Sequence, residues 1–288
     1  MKHCGLKGFL CLAISFILIS SCGGGRKTTV TRETDQARRD LASGQYQKAL
    51  DQSHADYQAA SGKDDTLQQY LEVIEHIRAS AETSFGREDF AAATETYALL
   101  LKNYPRFAPI AQRLSFTREY LVLRIRLSRI LLAERQSLSY LKAGNPQKAI
   151  QVCQEVHHQY PRDLAVRNHC SAVLESIKAN ADLAFKNEDL AQAGLLYGAL
   201  ERHFETPLFK SCSLSYDQDH LKTSLAKCRR KLFEAALEQY RTGNLSQAVA
   251  IWKSILTFDP ENQEARKAAE TAALQLKNIQ KDSGSHTK

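Results

Sequence analysis

Five stretches of the chain share one spacing of small, bulky and polar positions. "DLASGQYQKAL" (40–50) and "YLKAGNPQKAI" (140–150) align without a gap at an offset of 100 residues. "ASAETSFGREDFAAATETYALL" (79–100) and "ANADLAFKNEDLAQAGLLYGAL" (179–200) do the same. A fifth copy, "AALEQYRTGNLSQAVAIWKSILTFDPEN", covers 235–262. An alanine stands at one place in all five: Ala49, Ala93, Ala149, Ala193 and Ala248. Twelve residues earlier comes a small residue (Ala37, Ala81, Ser137, Ala181, Ala236), and a bulky one follows it at Leu41, Phe85, Leu141, Phe185 and Tyr240. Four residues after the alanine stand Ser53, Tyr97, Cys153, Tyr197 and Trp252. Small residues let two helix axes approach, and large ones fill the hollows beside the crossing. The pattern therefore predicts antiparallel helix pairs, each leaving an apolar face that only the next pair can cover.

These segments resemble tetratricopeptide repeats (TPRs), which carry a Gly-x-aromatic-x-x-Ala turn between helices A and B. The resemblance covers roughly residues 35–277 and implies an all-α fold, a TPR-like superhelical solenoid of antiparallel helix pairs with elongated helices. The turns lie 44, 56, 44 and 55 residues apart, against about 34 in the family, so longer or additional helices are expected. Copy one lacks bulky residues in its second helix (Ser53, Asp56), and Glu88 and Glu188 replace the turn glycine in copies two and four. The acids Asp89 and Asp189 beside them suit helix caps. Pro105, Pro161 and Pro260 close three copies.

Between copies two and three, "REYLVLRIRLSRILLAERQSLSYLKAG" (118–144) places Tyr120, Leu123, Leu127, Ile130 and Leu131 on one helical face and Leu121, Ile125 and Leu132 on another. A helix apolar on two sides is usually buried between neighbours, so a long central helix is expected. "ETPLFKSCSLSYDQD" (205–219) reads as a loop, and residues 278–288 as a disordered tail.

The N-terminus has a different pattern. Lys2, His3 and Lys7 precede a 12-residue apolar run, Gly8 to Ile19, which is shorter than the roughly 20 residues that span a bilayer. It has the layout of an export signal. Ile19-Ser20-Ser21-Cys22 resembles the lipobox of bacterial lipoproteins. That resemblance implies a signal peptide over 1–21, removal before Cys22, and acyl chains (palmitate among them) on Cys22. Residues 22–33 then read as a flexible tether and 34–277 as the repeat domain. Gly23 after the lipidated cysteine favours, by family behaviour, an outer-membrane, periplasm-facing location. Without Lys2 and Lys7 the net charge falls from +7 to +5, a dispersed excess that argues against nucleic acid as a partner.

Cys153, Cys170, Cys212 and Cys228 follow the lipidated cysteine. An even count in an oxidising compartment permits disulfides. Cys153 and Cys170 flank Pro161 and would lie level across a helix pair, while Cys212 with Cys228 would join a loop to a helix start. Cys153, His157, His158, His169 and Cys170 together have the donor types of a zinc site. There is no nucleophile elbow, phosphate-binding glycine loop or H-E-x-x-H helix, so neither an enzyme nor a cofactor is expected. Mapping the family's peptide groove onto copies two, four and five gives Arg78, Glu82, Lys178, Asp182, Phe233, Leu237 and Arg241. The expected function is a membrane-anchored scaffold binding other envelope proteins, with no small-molecule substrate. "YPRFAPIAQR" resembles repeat ends of the lipoprotein subunit of the outer-membrane β-barrel assembly machine, and pilot lipoproteins of type IV pili share the anchor-plus-repeat plan. The alternative is a periplasmic lipoprotein binding a ligand or metal through its Cys/His cluster.

Overall fold

A computed structural model describes residues 30–61 and 63–285. Twelve α-helices and no strand occur among them: α1 (Val30–Ala42), α2 (Tyr46–Ala59), α3 (Asp64–Gly86), α4 (Phe90–Phe107), α5 (Arg118–Lys142), α6 (Pro146–Gln159), α7 (Leu164–Lys186), α8 (Leu190–His203), α9 (Pro207–Ser211), α10 (Gln218–Arg241), α11 (Leu245–Phe258) and α12 (Gln263–Ser285). The fold is an all-α, TPR-like arrangement of helix pairs. The A helices α3, α5, α7 and α10 are 23, 25, 23 and 24 residues long, while α2, α6, α8 and α11 keep 14. The long A helices account for the wide spacing. Its alternation comes from the connectors: a 3₁₀ segment (Ala108–Arg113) and α9 are inserted after copies two and four.

The A-to-B turns are one structure repeated five times. Gly44, Glu88, Gly144, Glu188 and Gly243 all have positive φ, between 61° and 83°. At each, the following N–H closes a bond to a carbonyl five residues back, as Asn145 does to Tyr140 (2.8 Å) and Asp89 to Ser84 (2.9 Å). This is the Schellman termination, which glycine enters without steric cost. Glu88 and Glu188 adopt the glycine conformation, so their turns keep their shape. Asp89 and Asp189 cap the next helices, accepting from the N–H groups of Ala92 (3.1 Å) and Gln192 (3.2 Å). Asn145 caps α6 and Asp163 caps α7 in the same way.

The chain divides into two compact units, residues 1–76 and 77–288, with the boundary inside α3. In the first, α1 packs on α2, and Ala37, Ala49, Leu50, Tyr70 and Ile74 are buried. Ser53 and Asp56 line a recess of about 180 Å³ there, at the place where copy one lacks bulky residues. In the second unit successive helices pack from α4 to α8, then α8 on α10, α10 on α11 and α11 on α12. Ala93, Ala149, Ala193 and Ala248 are fully buried, as are Ala81, Ser137, Ala181 and Ala236. The small-residue positions therefore sit at the helix crossings.

Five expectations need correction. The segment 118–142 is one helix, but its two apolar faces are covered only in part: Leu123 and Leu127 are 57% and 38% exposed, as is the neighbouring Val122 at 43%. Its neighbours bury Leu121, Ile125 and Ser128 in the first half and Ile130, Ala133 and Ser137 in the second. The stretch 205–219 contains the short helix α9, which buries Leu208 and Phe209. Residues 278–285 continue α12, and 30–33 belong to α1. Pro105 lies inside the last turn of α4. The expected signal peptide, Cys22 and residues 22–29 of the expected tether lie outside the described residues.

Candidate functional site

The expected groove residues sit on three A helices: Arg78 and Glu82 on α3, Lys178 and Asp182 on α7, and Phe233, Leu237 and Arg241 on α10. Their environments differ. Glu82 is the centre of a network. Tyr97 on α4 donates its hydroxyl to Glu82 (2.6 Å), Tyr120 on α5 donates another, and Arg124 on α5 forms an ion pair with the same carboxylate. The Arg124 guanidinium lies 4.0 Å above the Phe85 ring and donates to the Tyr97 oxygen (3.1 Å). Burial alone would raise the Glu82 pKa, but the bonds from Tyr120, Tyr97 and Arg124 outweigh it and hold the carboxyl below its usual range. Burial and the bond to Glu82 push the Tyr97 hydroxyl well above its ordinary value.

The same device recurs 100 residues later with different parts. Tyr197 donates to Asp182 (2.6 Å), and Lys178 pairs with that carboxylate at 2.7 Å. Burial raises the Asp182 pKa less than Lys178 and Tyr197 lower it, so Asp182 also lies below its ordinary value. In copy five the corresponding cluster is apolar: Phe233 and Tyr240 pack on Trp252 with ring centroids 6.1 and 5.8 Å away. Arg241 is exposed and Arg78 half-buried. Of the seven expected residues, Glu82, Phe233 and Leu237 are therefore substantially engaged inside the fold, Lys178 and Asp182 pair with each other with 21% and 42% of their side chains exposed, and Arg241 faces solvent. Arg124, Tyr120 and Tyr97 had not been singled out for this site. The pairing of Tyr97 with Glu82 and Tyr197 with Asp182 at one offset was the available signal.

The Cys/His residues separate. The His157 ring nitrogen lies 2.8 Å from the Ser211 hydroxyl on α9, and that of His169 lies 2.8 Å from the Ser137 hydroxyl on α5. Burial lowers the pKa of both histidines and favours the neutral ring. His158 faces solvent. Among the described residues no group of three or more His, Cys, Asp or Glu is placed to hold a metal ion. The cysteines of the cluster do meet. The Cys170 sulfur is 3.7 Å from the Cys153 carbonyl oxygen across the α6–α7 pair. Its neighbouring sulfur, then burial, drive the Cys153 thiol far above its ordinary pKa. Cys212 contacts the Arg167 carbonyl instead (3.9 Å), and burial lifts the Cys228 pKa to about 11. All four are free thiols in the structure.

None of these clusters combines a nucleophile, a base and an oxyanion donor; each closes on itself. No helix among the described residues is long and apolar enough to cross a membrane. Compared with known proteins, residues 135–163 match the tetratricopeptide repeat family model. That match takes in the end of α5, its turn and the whole of α6. No curated protein and no solved structure matches the chain.

Proposed function

We propose that this chain is a TPR scaffold that binds other proteins, held by acyl chains on Cys22 at the periplasmic face of a bacterial outer membrane. A TPR repeat with an all-helical fold suits protein–protein interaction rather than catalysis. The observation that carries the reading is the outer surface of the long A helices. Val122, Leu123 and Leu127 on α5 stay exposed on the same helix as the half-exposed Arg126, and Arg241 of α10 faces solvent. Exposed apolar side chains grouped with charges are the composition of a protein-binding surface. The partners in this reading are components of envelope assembly or secretion. The lipobox-like ISSC and the leader before it support the anchor, since two or three acyl chains hold a protein far more firmly than one.

The test is capture of cross-linked partners from cells, comparing the wild type with Cys22→Ala. The reading expects wild type in the membrane fraction with defined envelope proteins attached. It expects Cys22→Ala to be released from membranes and to lose those partners. Sedimentation unchanged by Cys22→Ala would refute the anchor, and a capture without partners would refute the scaffold.

A further inference from the structure

Copy one carries Ser53 where copies two, four and five carry Tyr97, Tyr197 and Trp252. Those three rings are at most 3% exposed. In copies two and four the ring reaches a carboxylate on its own A helix, Glu82 or Asp182. In copy two it also touches Arg124 of the next A helix. The corresponding place in copy one is open. Its recess of about 180 Å³ is lined by Arg38 and Leu41 of α1, Ser53 and Asp56 of α2, and Glu72 and Val73 of α3, among others. The Ser53 hydroxyl turns back to the Ala49 carbonyl (2.8 Å) and is satisfied there. An apolar cavity of about 150 Å³ accepts benzene, so the volume suits a single ring.

We propose that this recess is a binding site for a tyrosine side chain of a partner protein, which supplies in trans the ring that Ser53 leaves out. The source of the tyrosine rests on the scaffold reading above; the site itself does not. Leu41 and Val73 give the ring apolar walls. The phenol also needs a hydroxyl acceptor. In copies two and four that acceptor follows the small residue of helix A, but Arg38 stands there in copy one. The carboxylates of Asp56 and Glu72 on the lining take over that role, and the Arg38 guanidinium adds cation–π attraction. A phenylalanine would satisfy the walls but add no donor to the carboxylates, which would keep only the bonds from Gln52 to Asp56 (2.9 Å) and Gln68 to Glu72 (3.4 Å).

The experiment is an amide-NMR titration of the full chain with N-acetyl-tyrosinamide, which needs no partner. The site predicts saturable shifts at Leu41, Ser53 and Val73 with Kd on the order of a millimolar. N-acetyl-phenylalaninamide should bind roughly threefold or more weakly, for want of one hydrogen bond, and N-acetyl-alaninamide should give no saturable shift. Ser53→Tyr should fill the recess in cis, raise Tm and abolish the tyrosinamide shifts. Ser53→Met, a flexible filler, should abolish them as well and guards against misfolding of the tyrosine variant. Absence of saturable shifts in the wild type, or shifts that persist in both variants, would overturn the proposal. Neither result bears on partner capture, so failure of the recess stays distinct from failure of the scaffold.

Discussion

The closest helix–helix contact involving a glycine joins α8 to α11, and one added methyl group tests it. A Cβ built on Gly194 would lie 2.5, 2.6 and 2.8 Å from three ring carbons of Phe258. Carbon atoms in contact prefer about 3.5–4.0 Å, so the ring or a helix must retreat by roughly 1 Å. Phe258 is only 5% exposed, and its ring is rigid. Overpacking of this kind costs about 1–3 kcal/mol. Alanine returns up to about 1 kcal/mol of helix propensity, so Gly194→Ala should destabilise by about 0.5–2 kcal/mol. Two other helical glycines calibrate the measurement. At Gly198 the Cβ would be 3.3 Å from the Phe258 Cβ and 3.4 Å from its carbonyl oxygen, and at Gly86 nothing lies within 4 Å. Gly198→Ala should be close to neutral, and Gly86→Ala should stabilise by up to about 1 kcal/mol. Urea unfolding would be followed by the fluorescence of Trp252, the sole tryptophan, which lies buried on α11 near the contact. The predicted order of midpoints is Gly86→Ala highest, wild type and Gly198→Ala together, Gly194→Ala lowest. Phe258→Leu should restore part of the loss in Gly194→Ala. A Gly194→Ala midpoint at or above wild type would refute the close packing of copies four and five.

Further outcomes follow from other parts of the structure. The Glu82, Asp163 and Asp182 carboxyls all lie below their ordinary pKa values in the fold. Their contribution is therefore complete above the unfolded range near pH 4 and is lost as pH falls through the folded values; Glu82→Gln should flatten the acid limb of a Tm-against-pH profile. Gly144→Ala places a Cβ at φ +70° and should cost about 1 kcal/mol by urea titration, from the penalty for left-handed backbone. Cys153 and Cys170 are fully buried and the Cys153 thiolate is disfavoured, so in the folded chain both should be alkylated by iodoacetamide far more slowly than the partly exposed Cys212; mass mapping that found either modified as fast as Cys212 would contradict the α6–α7 packing.

Much of this fold could be read in the sequence, because each repeat position has a steric job. Alanine at 93, 193 and 248 means a helix crossing wherever it recurs. Glu88 and Glu188 stand at the glycine position, and their turns keep the glycine geometry because the Asp that follows and the Schellman bonds set it. The open recess beside Ser53 was visible as a missing side chain. The surface was harder to read. The apolar spacing of α5 could not say which positions on its two greasy faces neighbours would cover, since that depends on how α4, α6 and α7 meet it. Arg124 looked like one charge in an alternating run, and its value comes from Phe85 and Glu82, some 40 residues earlier. The histidines near Cys153 had suitable spacing for a metal, but Ser137 and Ser211 arrive from other helices and draw their rings away. Local pattern gave the turns and crossings; contacts made between distant elements did not leave a periodic trace.

The central claim, a scaffold that binds through its A helices, is tested most directly by site-specific photo-crosslinking in cells. A photoreactive amino acid would replace Arg78, Lys178 or Arg241 on the A helices, and Glu95, Gln151 or Gln247 on the exposed faces of B helices. The account predicts discrete protein adducts from the first three positions and none from the second three. Adducts confined to the B-helix positions, or none from any position, would contradict it.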